Sequence, residues 1–324
     1  MSGWSDVAVG VGRALEKRFD ELKLRVRRRY GWIAPPEVLT YRGHGTQETL
    51  FLKGRVLEAK GLTRSSSTDT IRTNLRNMAR RFLSAEVSSA RLRARYADQE
   101  VPVVTDEEGF FDVRFDLADP PDKGVEWHPV EVELLGASGA GARAMGSVLV
   151  PNGARFGVIS DLDDTVIQTG VTSFLRMLRT ALLHNAHTRL PFEGVTHFYR
   201  ALQAGGNPIF YVSSSPWNLY DLLEDFLDVH GVPAGPLFLK DWSPTALKGH
   251  EQHKLGIIRT LLATYPSLPF VLVGDSGEQD PEIYRTVVRE HPGRIAAIYI
   301  RDVTNRERDV VVHAIARQVR SFGV

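Results

Sequence analysis

The segment Phe156-Gly-Val-Ile-Ser-Asp-Leu-Asp-Asp-Thr165 joins a short apolar run to a cluster of aspartates. The run from Phe156 to Ser160 has the length and composition of a buried β-strand, and the aspartates follow where that strand ends. Asp161 and Asp163 are two residues apart in an extended segment, so their side chains are predicted to point the same way. Two carboxylates held that close resist joint ionisation unless a divalent cation neutralises one charge or a proton stays on one of them. An Asp-rich turn without any ligand has the same sequence, so the segment alone leaves both interpretations open.

Three further strand patterns follow in the C-terminal half of the chain. They span Pro208 to Ser213, Pro269 to Gly274 and Arg294 to Ile300, with helix-length segments between them. Strands that alternate with helices predict an α/β fold, a Rossmann-like parallel sheet with helices on both faces. Ligands bind at the carboxyl ends of the strands in such folds, so the residues directly after each strand form the candidate site.

Three serines follow the second of these strands. The strand ends in Ser213-Ser-Ser215, and Pro216 comes next at the start of a helical pattern. A hydroxyl beside a helix N-terminus suits an oxyanion such as phosphate, but a serine that only caps a helix gives the same pattern.

Acidic residues and a lysine complete the pattern. The strand that ends at Gly274 delivers Asp275, and then Asp280, to the same sheet edge. Lys254 lies between the serines and these aspartates on a predicted helix, where a lone lysine is otherwise an ordinary surface residue. Lys248 is the alternative candidate if Lys254 is dispensable.

In this order and in these strand contexts, the four signals resemble the motifs of the haloacid-dehalogenase superfamily of phosphotransferases, from about Phe156 to Ile300. The strings D-L-D-D-T-V, Y-V-S-S-S-P-W, H-K-L-G-I-I, G-D-S-G-E-Q-D-P-E-I-Y and A-I-Y-I-R-D-V are similar to the catalytic domain of actin-patch-associated phosphatidate phosphatases and their bacterial relatives. Ser214 departs from the family pattern, in which asparagine is expected at this place. The resemblance implies Mg²⁺-dependent removal of phosphate from phosphatidate.

The resemblance also implies a role for each candidate residue. Asp161 is the expected nucleophile, Asp163 the general acid and base, and Lys254 the lysine that stabilises the phosphate during catalysis. The expected phosphate-binding residues are Thr165, Ser213 and Ser214. The expected metal ligands are Asp161, Asp163 through its carbonyl, Asp275 and Asp280.

The intervals between these motifs are short. About 47 residues separate Thr165 from Ser213, and about 40 separate Ser213 from Lys254, and both intervals must also supply core helices. Only a small cap is therefore predicted, and the segment Val171 to Leu183 either covers part of the site or is a core helix. In the superfamily that the chain resembles, a reduced cap implies a bulky or surface-bound substrate, which favours a lipid over a small sugar phosphate.

The N-terminal half predicts a different architecture. Residues 1–36 have apolar residues at spacings of three or four and a basic polar side, which is typical of an amphipathic helix that packs on the protein or lies on a membrane. Residues 37–150 alternate apolar and polar residues in short runs, which predicts a smaller β-rich domain, with a β-sandwich as a candidate fold. A basic segment near residues 69–97 is predicted to be a helical insertion in it, and residues 151–324 are predicted to form the catalytic domain.

Composition limits the class of protein. The chain has 324 residues, of which 43% are hydrophobic and 24% charged, values typical of a soluble protein of two domains. It has no cysteine, which excludes thiolate catalysis, cysteine-bound zinc and disulfides. No apolar run is long enough to span a membrane and no signal-peptide core is present, so we expect a cytoplasmic protein whose membrane contact is at most peripheral.

Charge is divided along the chain. Residues 1–95 hold 20 Lys and Arg against 9 Asp and Glu, and residues 96–324 hold 20 against 30. The basic part suits an anionic membrane, but eight arginines between Arg64 and Arg95 could equally track a polyanion. A phosphatase of nucleic-acid ends or of phosphoproteins is therefore one alternative, although no base-reading motif is present. A membrane adaptor that has lost activity is another, and the sequence predicts no oligomeric state.

Overall fold

The computed structural model describes residues 35–58, 86–124, 126–136, 141–163, 165–166, 194–240 and 250–324. These residues form two sheets, one of eight strands and one of five. Apart from its last two residues, the helix predicted in 1–36 lies outside the described residues, as do the candidate cap from Val171 to Leu183 and the alternative Lys248. No helix within the described ranges is long and apolar enough to cross a membrane.

The eight-stranded sheet forms a β-rich domain. Its strands are β1 (Pro36–Thr40), β2 (Gly43–Gly45), β3 (Thr49–Glu58), β4 (Arg91–Tyr96), β5 (Gln99–Val104), β6 (Phe110–Asp116), β7 (Trp127–Leu135) and β8 (Arg143–Leu149). Their order is β1-β3-β2-β8-β7-β4-β5, and β6 pairs with β3. Alternate residues, such as Val113 and Phe115 of β6 and Val130 and Val132 of β7, point into one shared core. The two halves of the sheet thus face each other across that core, as in a β-sandwich.

The basic segment near residues 69–97 ends in a strand and not in a helix. β4 pairs antiparallel with both β5 and β7, and its alternate residues are buried. The predicted helical insertion is therefore wrong for this part, and the part up to residue 85 lies outside the described residues. Arg91, Arg93 and Arg95 alternate with smaller residues at a period of two, which indicates a strand in spite of the many arginines.

The five-stranded sheet belongs to the C-terminal domain. Its elements are β9 (Gly157–Asp161), α1 (Val195–Gln203), β10 (Ile209–Pro216), α2 (Tyr220–Val229), β11 (Leu237–Lys240), α3 (His250–Thr264), β12 (Phe270–Asp275), α4 (Asp280–Glu290), β13 (Ile295–Arg301) and α5 (Arg306–Ser321). The strands are parallel, in the order β11-β10-β9-β12-β13. The chain moves outward from β9 to β11 and then returns to the other side of β9. This reversal puts the ligand-binding edge of the sheet at the carboxyl end of β9.

Helices cover both faces of the parallel sheet, as predicted. Helices α1 and α2 pack on one face through residues such as Tyr199 and Phe226. Helices α3, α4 and α5 pack on the other through Ile258, Val287 and Ile315. The four predicted strands correspond to β9, β10, β12 and β13, and the short edge strand β11 was not predicted.

Candidate active site

Strand β9 delivers Asp161 to a buried position at the sheet edge. Val158 and Ile159 anchor the strand in the cores on its two faces. The Ser160 hydroxyl donates a hydrogen bond to the carbonyl of Asp161 at 2.6 Å, and the Tyr199 hydroxyl lies 2.5 Å from the same Ser160 oxygen. Because the only hydroxyl proton of Ser160 is used on the carbonyl, Tyr199 donates to Ser160. Two buried hydroxyls therefore fix the backbone that carries Asp161.

Lys254 of α3 joins the acidic side chains of the site. Its Nζ donates to Asp161 Oδ1 at 2.8 Å, to Asp280 Oδ1 at 2.5 Å and to Glu278 Oε2 at 3.3 Å. Burial lowers the pKa of the Lys254 ammonium, but the neighbouring carboxylates outweigh burial and hold that pKa well above its ordinary value. The side chain is therefore a buried cation with all three of its N–H groups used.

Strand β12 and helix α4 supply the remaining acidic residues. Asp275 Oδ1 accepts hydrogen bonds from the backbone N–H groups of Gly277 at 2.6 Å and Glu278 at 3.0 Å. The N–H of Asp275 donates to Asp280 Oδ2 at 3.2 Å. A Cβ at Gly274 would collide with the Asp280 carboxylate, so glycine is required there for this close approach. We call Asp161, Asp275, Glu278 and Asp280 the carboxylate cluster.

Three members of the carboxylate cluster fit a cation. Asp161, Asp275 and Asp280 each offer one oxygen within 4.8 Å of the others, and all three side chains are buried. The Oδ2 atoms of Asp161 and Asp275 accept no hydrogen bond from the residues that the structure describes. A buried carboxylate oxygen without a donor is unfavourable, and a hard cation such as Mg²⁺, which prefers oxygen ligands, would satisfy it.

The pKa values of this cluster agree with a cation site. Burial raises the pKa of Asp161 well above its ordinary value, and burial together with the nearby carboxylates raises the pKa of Asp275 to about 7. Burial likewise raises the pKa of Glu278. A cation that binds here would displace protons from these groups, so its affinity is expected to increase with pH.

Asp163 faces the serines of β10. Its Oδ2 accepts hydrogen bonds from Ser213 Oγ at 2.7 Å and from Ser215 Oγ at 3.1 Å. The N–H of Ser215 donates to Ser213 Oγ at 2.9 Å. The predicted acid/base and the predicted phosphate-binding serine are therefore neighbours, and the Asp163 carboxylate lies outside the group of three aspartates that fits a cation.

The other two predicted phosphate-binding residues differ from Ser213. Ser214 is half-buried, and Ser215 occupies the second position beside Asp163. Thr165 is buried, and its Oγ1 has no hydrogen-bond partner among the described residues. Phosphate binding by Thr165, Ser213 and Ser214 stays a prediction.

Three residues of the site were not predicted from the sequence. Glu278 and Ser215 stand inside the quoted strings G-D-S-G-E-Q-D and Y-V-S-S-S-P-W, so their position along the chain was a usable signal. Tyr199 carries no such signal, because only the packing of α1 on β9 brings it to Ser160.

The fold and the site define a class of domain: a parallel α/β sheet whose carboxyl edge holds three buried aspartates that could bind a cation, a lysine and serine hydroxyls. Residues 156–302 match the family model described as phosphatidate phosphatase APP1, catalytic domain. The family resemblance predicted from the sequence is thus confirmed for this part of the chain.

Two curated proteins match parts of the chain. Over 163 residues the chain is 38% identical to phosphatidate phosphatase APP1 of Saccharomyces cerevisiae, a match that covers 48% of this chain and 27% of that protein. It is 28% identical over 213 residues to an uncharacterized protein of Schizosaccharomyces pombe, with 64% of this chain and 32% of that protein covered. The chain therefore spans about a third or less of the length of these relatives. A chain in a solved structure of the Pnkp1/Rnl/Hen1 complex is 15% identical over 47% of each chain, with a TM-score of 0.33, too low to support a conclusion.

Proposed function

We propose that this chain is a Mg²⁺-dependent phosphoric monoester hydrolase that converts phosphatidate, or a related lipid phosphate, to the dephosphorylated lipid. The observation that carries the proposal is the buried group of Asp161, Asp275 and Asp280 around Lys254. It lies within the 156–302 segment that matches the phosphatidate phosphatase catalytic domain.

The chemistry follows from the placement of these side chains. A Mg²⁺ ion held by Asp161, Asp275 and Asp280 would neutralise the negative charge of the incoming phosphate. The Asp161 carboxylate attacks phosphorus, and the bond from phosphorus to the ester oxygen breaks as the aspartyl-phosphate forms. The positive charge of Lys254 stabilises the phosphoryl oxygens during this transfer.

Asp163 supplies the protons. Protonated Asp163 donates its proton to the leaving alkoxide, which gives the free alcohol. The resulting carboxylate then takes a proton from a water molecule that attacks phosphorus. The bond between phosphorus and Asp161 breaks, inorganic phosphate leaves, and both side chains return to their starting states. Hydrogen bonds from Ser213 and Ser215 hold Asp163 for this role.

The lipid substrate and the place of action are part of the proposal. The match to the phosphatidate phosphatase catalytic domain supports a lipid phosphate. The excess of Lys and Arg in residues 1–95 supports peripheral contact with an anionic membrane of the cytoplasm. Two of the arginines that could contact a polyanion, Arg93 and Arg95 of β4, form ion pairs with glutamates instead. This pairing counts against the nucleic-acid alternative.

Phosphate release tests the function. Wild type, Asp161→Asn and Asp116→Asn are assayed on phosphatidate in mixed micelles and on soluble phosphomonoesters, with Mg²⁺ or with EDTA. Asp116 is an exposed aspartate of the β-rich domain and serves as the matched control. We expect wild type and Asp116→Asn to release phosphate from phosphatidate only with Mg²⁺, and Asp161→Asn to release none. Activity on soluble compounds alone would overturn the lipid assignment, and inactivity of wild type on every compound would favour the adaptor.

A further inference from the structure

The β-rich domain contacts the turn that directly follows the active-site serines. Strand β10 ends at Pro216, and a short 3₁₀ turn, Trp217–Leu219, leads into α2. The ring of Tyr41 stacks on Trp217 with 4.7 Å between centroids, and Phe110 meets the same indole edge-on at 6.2 Å. Aromatic contacts from two separate segments of the β-rich domain therefore cover this turn.

Arg55 of β3 ties the turn to the β-rich domain by hydrogen bonds. Its guanidinium is buried, and one nitrogen donates to Asn218 Oδ1 at 2.6 Å. The others donate to the carbonyl of Glu108 at 2.8 Å and to the Glu86 carboxylate at 3.4 Å. The guanidinium carbon lies 4.2 Å from the centre of the Phe110 ring. A rigid planar group fixed on three sides holds its fourth partner, Asn218, in one place.

Asn218 is only three residues from the serine that holds Asp163. Ser213 and Ser215 donate to the same Asp163 oxygen, and Pro216, whose ring fixes φ, stands between Ser215 and the turn. A shift of the turn would thus be passed along a short, stiff backbone to the two hydroxyls, and from them to the Asp163 carboxylate.

We propose that Arg55 of the β-rich domain is a positioning residue for Asp163, acting through Asn218 and the serines of β10. The inference rests on the proposed function in one respect, the role of Asp163 as the acid that protonates the leaving group. It gives the β-rich domain a part in the reaction that neither the family match nor the relatives assign.

A second contact between the domains supplies a matched control. Arg42 forms ion pairs with Asp228 at 2.9 Å and with Glu224 at 3.1 Å, both on α2, and its N–H donates to the Tyr220 hydroxyl. Asp228 lies thirteen positions beyond Ser215 and contacts neither serine in the described hydrogen bonds. Loss of Asp228 weakens the domain contact without a short path to Asp163.

The test compares leaving groups. An alkoxide needs a proton in order to leave, whereas p-nitrophenolate leaves without one, so only the alkyl ester depends on Asp163 as an acid. We measure kcat/KM for a short-chain phosphatidate and for p-nitrophenyl phosphate in wild type, Asn218→Ala, Asn218→Asp and Asp228→Ala. For Asn218→Ala we expect kcat/KM to fall about tenfold on the lipid phosphate and less than about twofold on p-nitrophenyl phosphate. The tenfold loss is a small part of the ~10²–10⁴ that general acid–base catalysis supplies.

The other variants decide the cause. Asn218→Asp keeps an oxygen acceptor for Arg55 and is expected to retain wild-type values on both substrates, whereas Asp228→Ala is expected to show the same small change on both. An equal loss on both substrates in Asn218→Ala, or no loss, would overturn the inference and leave the proposed function intact. If wild type hydrolyses neither substrate, the proposed function fails, and amide hydrogen exchange then tests whether the contact of Arg55 with Asn218 fixes the serines of β10. Faster exchange across residues 213–219 in Asn218→Ala than in Asp228→Ala would support it, and equal rates would overturn it.

Discussion

Each of the two domains contains a group of charged side chains. Opposite charges are paired in the β-rich domain, whereas acidic side chains are in excess in the C-terminal domain. In the β-rich domain, arginines and glutamates of neighbouring strands form what we call the arginine–glutamate ladder: Arg93, Arg95, Glu100, Glu131, Glu133 and Arg143. Arg93 pairs with Glu133 at 2.8 Å, Arg95 with Glu100 at 2.6 Å, and Arg143 lies 3.0 Å from both Glu131 and Glu133. In the carboxylate cluster of the other domain, three of the four acidic side chains pair with a single ammonium, that of Lys254, among the described residues.

The difference distinguishes charges that pair within the fold from charges that are available to a ligand. The ladder pairs opposite charges on neighbouring strands, so each of its charges has an opposite charge beside it and little is left to offer a ligand. The three aspartates of the carboxylate cluster are buried, and two of their oxygens have no hydrogen-bond donor among the described residues. An arrangement of this kind is unfavourable for folding alone, and a bound cation would offset that cost.

Removal of Lys254 should have the largest effect on activity. Lys254→Met removes the only ammonium within reach of Asp161, Asp280 and Glu278 among the described residues. We expect turnover to fall at least ~10²-fold, as when a preorganised stabilising donor is removed. We also expect the free energy of unfolding in EDTA to fall by about 3 kcal/mol, because buried carboxylates lose their partner. Urea denaturation measures this loss, and Mg²⁺ should restore part of it.

Lys123→Met is the control for that substitution. Lys123 is exposed in the β-rich domain, far along the chain from the cluster. We expect wild-type turnover and stability from it. A Lys254→Met variant as active as this control would show that the lysine of the cluster is not part of the site.

Asp275 should make the metal-free protein less stable at high pH. Its pKa is raised to about 7 in the folded state, against an ordinary value of 3.8. The folded state therefore binds the proton more tightly than the unfolded state, and this stabilisation is complete below pH 4 and lost as pH rises through 7. In EDTA we expect Asp275 to contribute up to about 4 kcal/mol to the loss in the free energy of unfolding. Asp275→Asn should flatten the profile between pH 4 and 7, and an unchanged profile would contradict the pKa shift.

His44, at the contact between the domains, should give stability the opposite dependence on pH. Its ring lies among Phe51, Phe210, Phe238 and Tyr265, and burial lowers its pKa to about 4. The unfolded state binds the proton more tightly here, so stability is complete above pH 6.5 and is lost as pH falls toward 4. The loss is expected to reach up to about 3 kcal/mol.

His44→Phe tests this directly, since it keeps the aromatic contacts and removes the titrating group. Thermal unfolding between pH 4 and 7 should show a smaller acid-side loss in this variant than in wild type. An equal loss in both would assign the acid sensitivity to other groups.

The arginine–glutamate ladder should give the smallest effect. Arg93→Ala removes one partner of Glu133 but leaves Arg143 in place. We expect the free energy of unfolding to fall by about 1 kcal/mol or less, with a smaller difference in high salt. Phosphatase activity should not change. A loss of activity would show that this surface takes part in substrate binding.

The C-terminal half was predictable because its signals are local. A buried strand followed by aspartates, as at Asp161 and Asp275, fixes both the element and the edge at which its side chain emerges. Lys254 and Ser213 were found in the same way, from their place in the order of motifs. Glu278 and Ser215 were missed, although they stand within the same strings, because a role was assigned to only some of the polar residues there.

The rest depends on contacts between distant parts of the chain. The strand β4 was not recognised because its arginines look like a basic helix until their partners are known. Those partners, Glu131 and Glu133, are about forty residues away. The contact of Arg55 with Asn218 spans 163 positions, and that of Tyr199 with Ser160 spans 39. No spacing rule links such pairs, so only the fold reveals them.

Calorimetric titration with Mg²⁺ tests most directly whether the carboxylate cluster is a cation site. The measurement compares wild type, Asp275→Asn and the control Asp116→Asn at pH 8, above the raised pKa of Asp275. We expect one Mg²⁺ site in wild type and in the control, and an affinity at least about tenfold weaker in Asp275→Asn, because a hard cation loses an anionic oxygen ligand. Absence of Mg²⁺ binding in wild type, or equal affinity in all three proteins, would contradict the account.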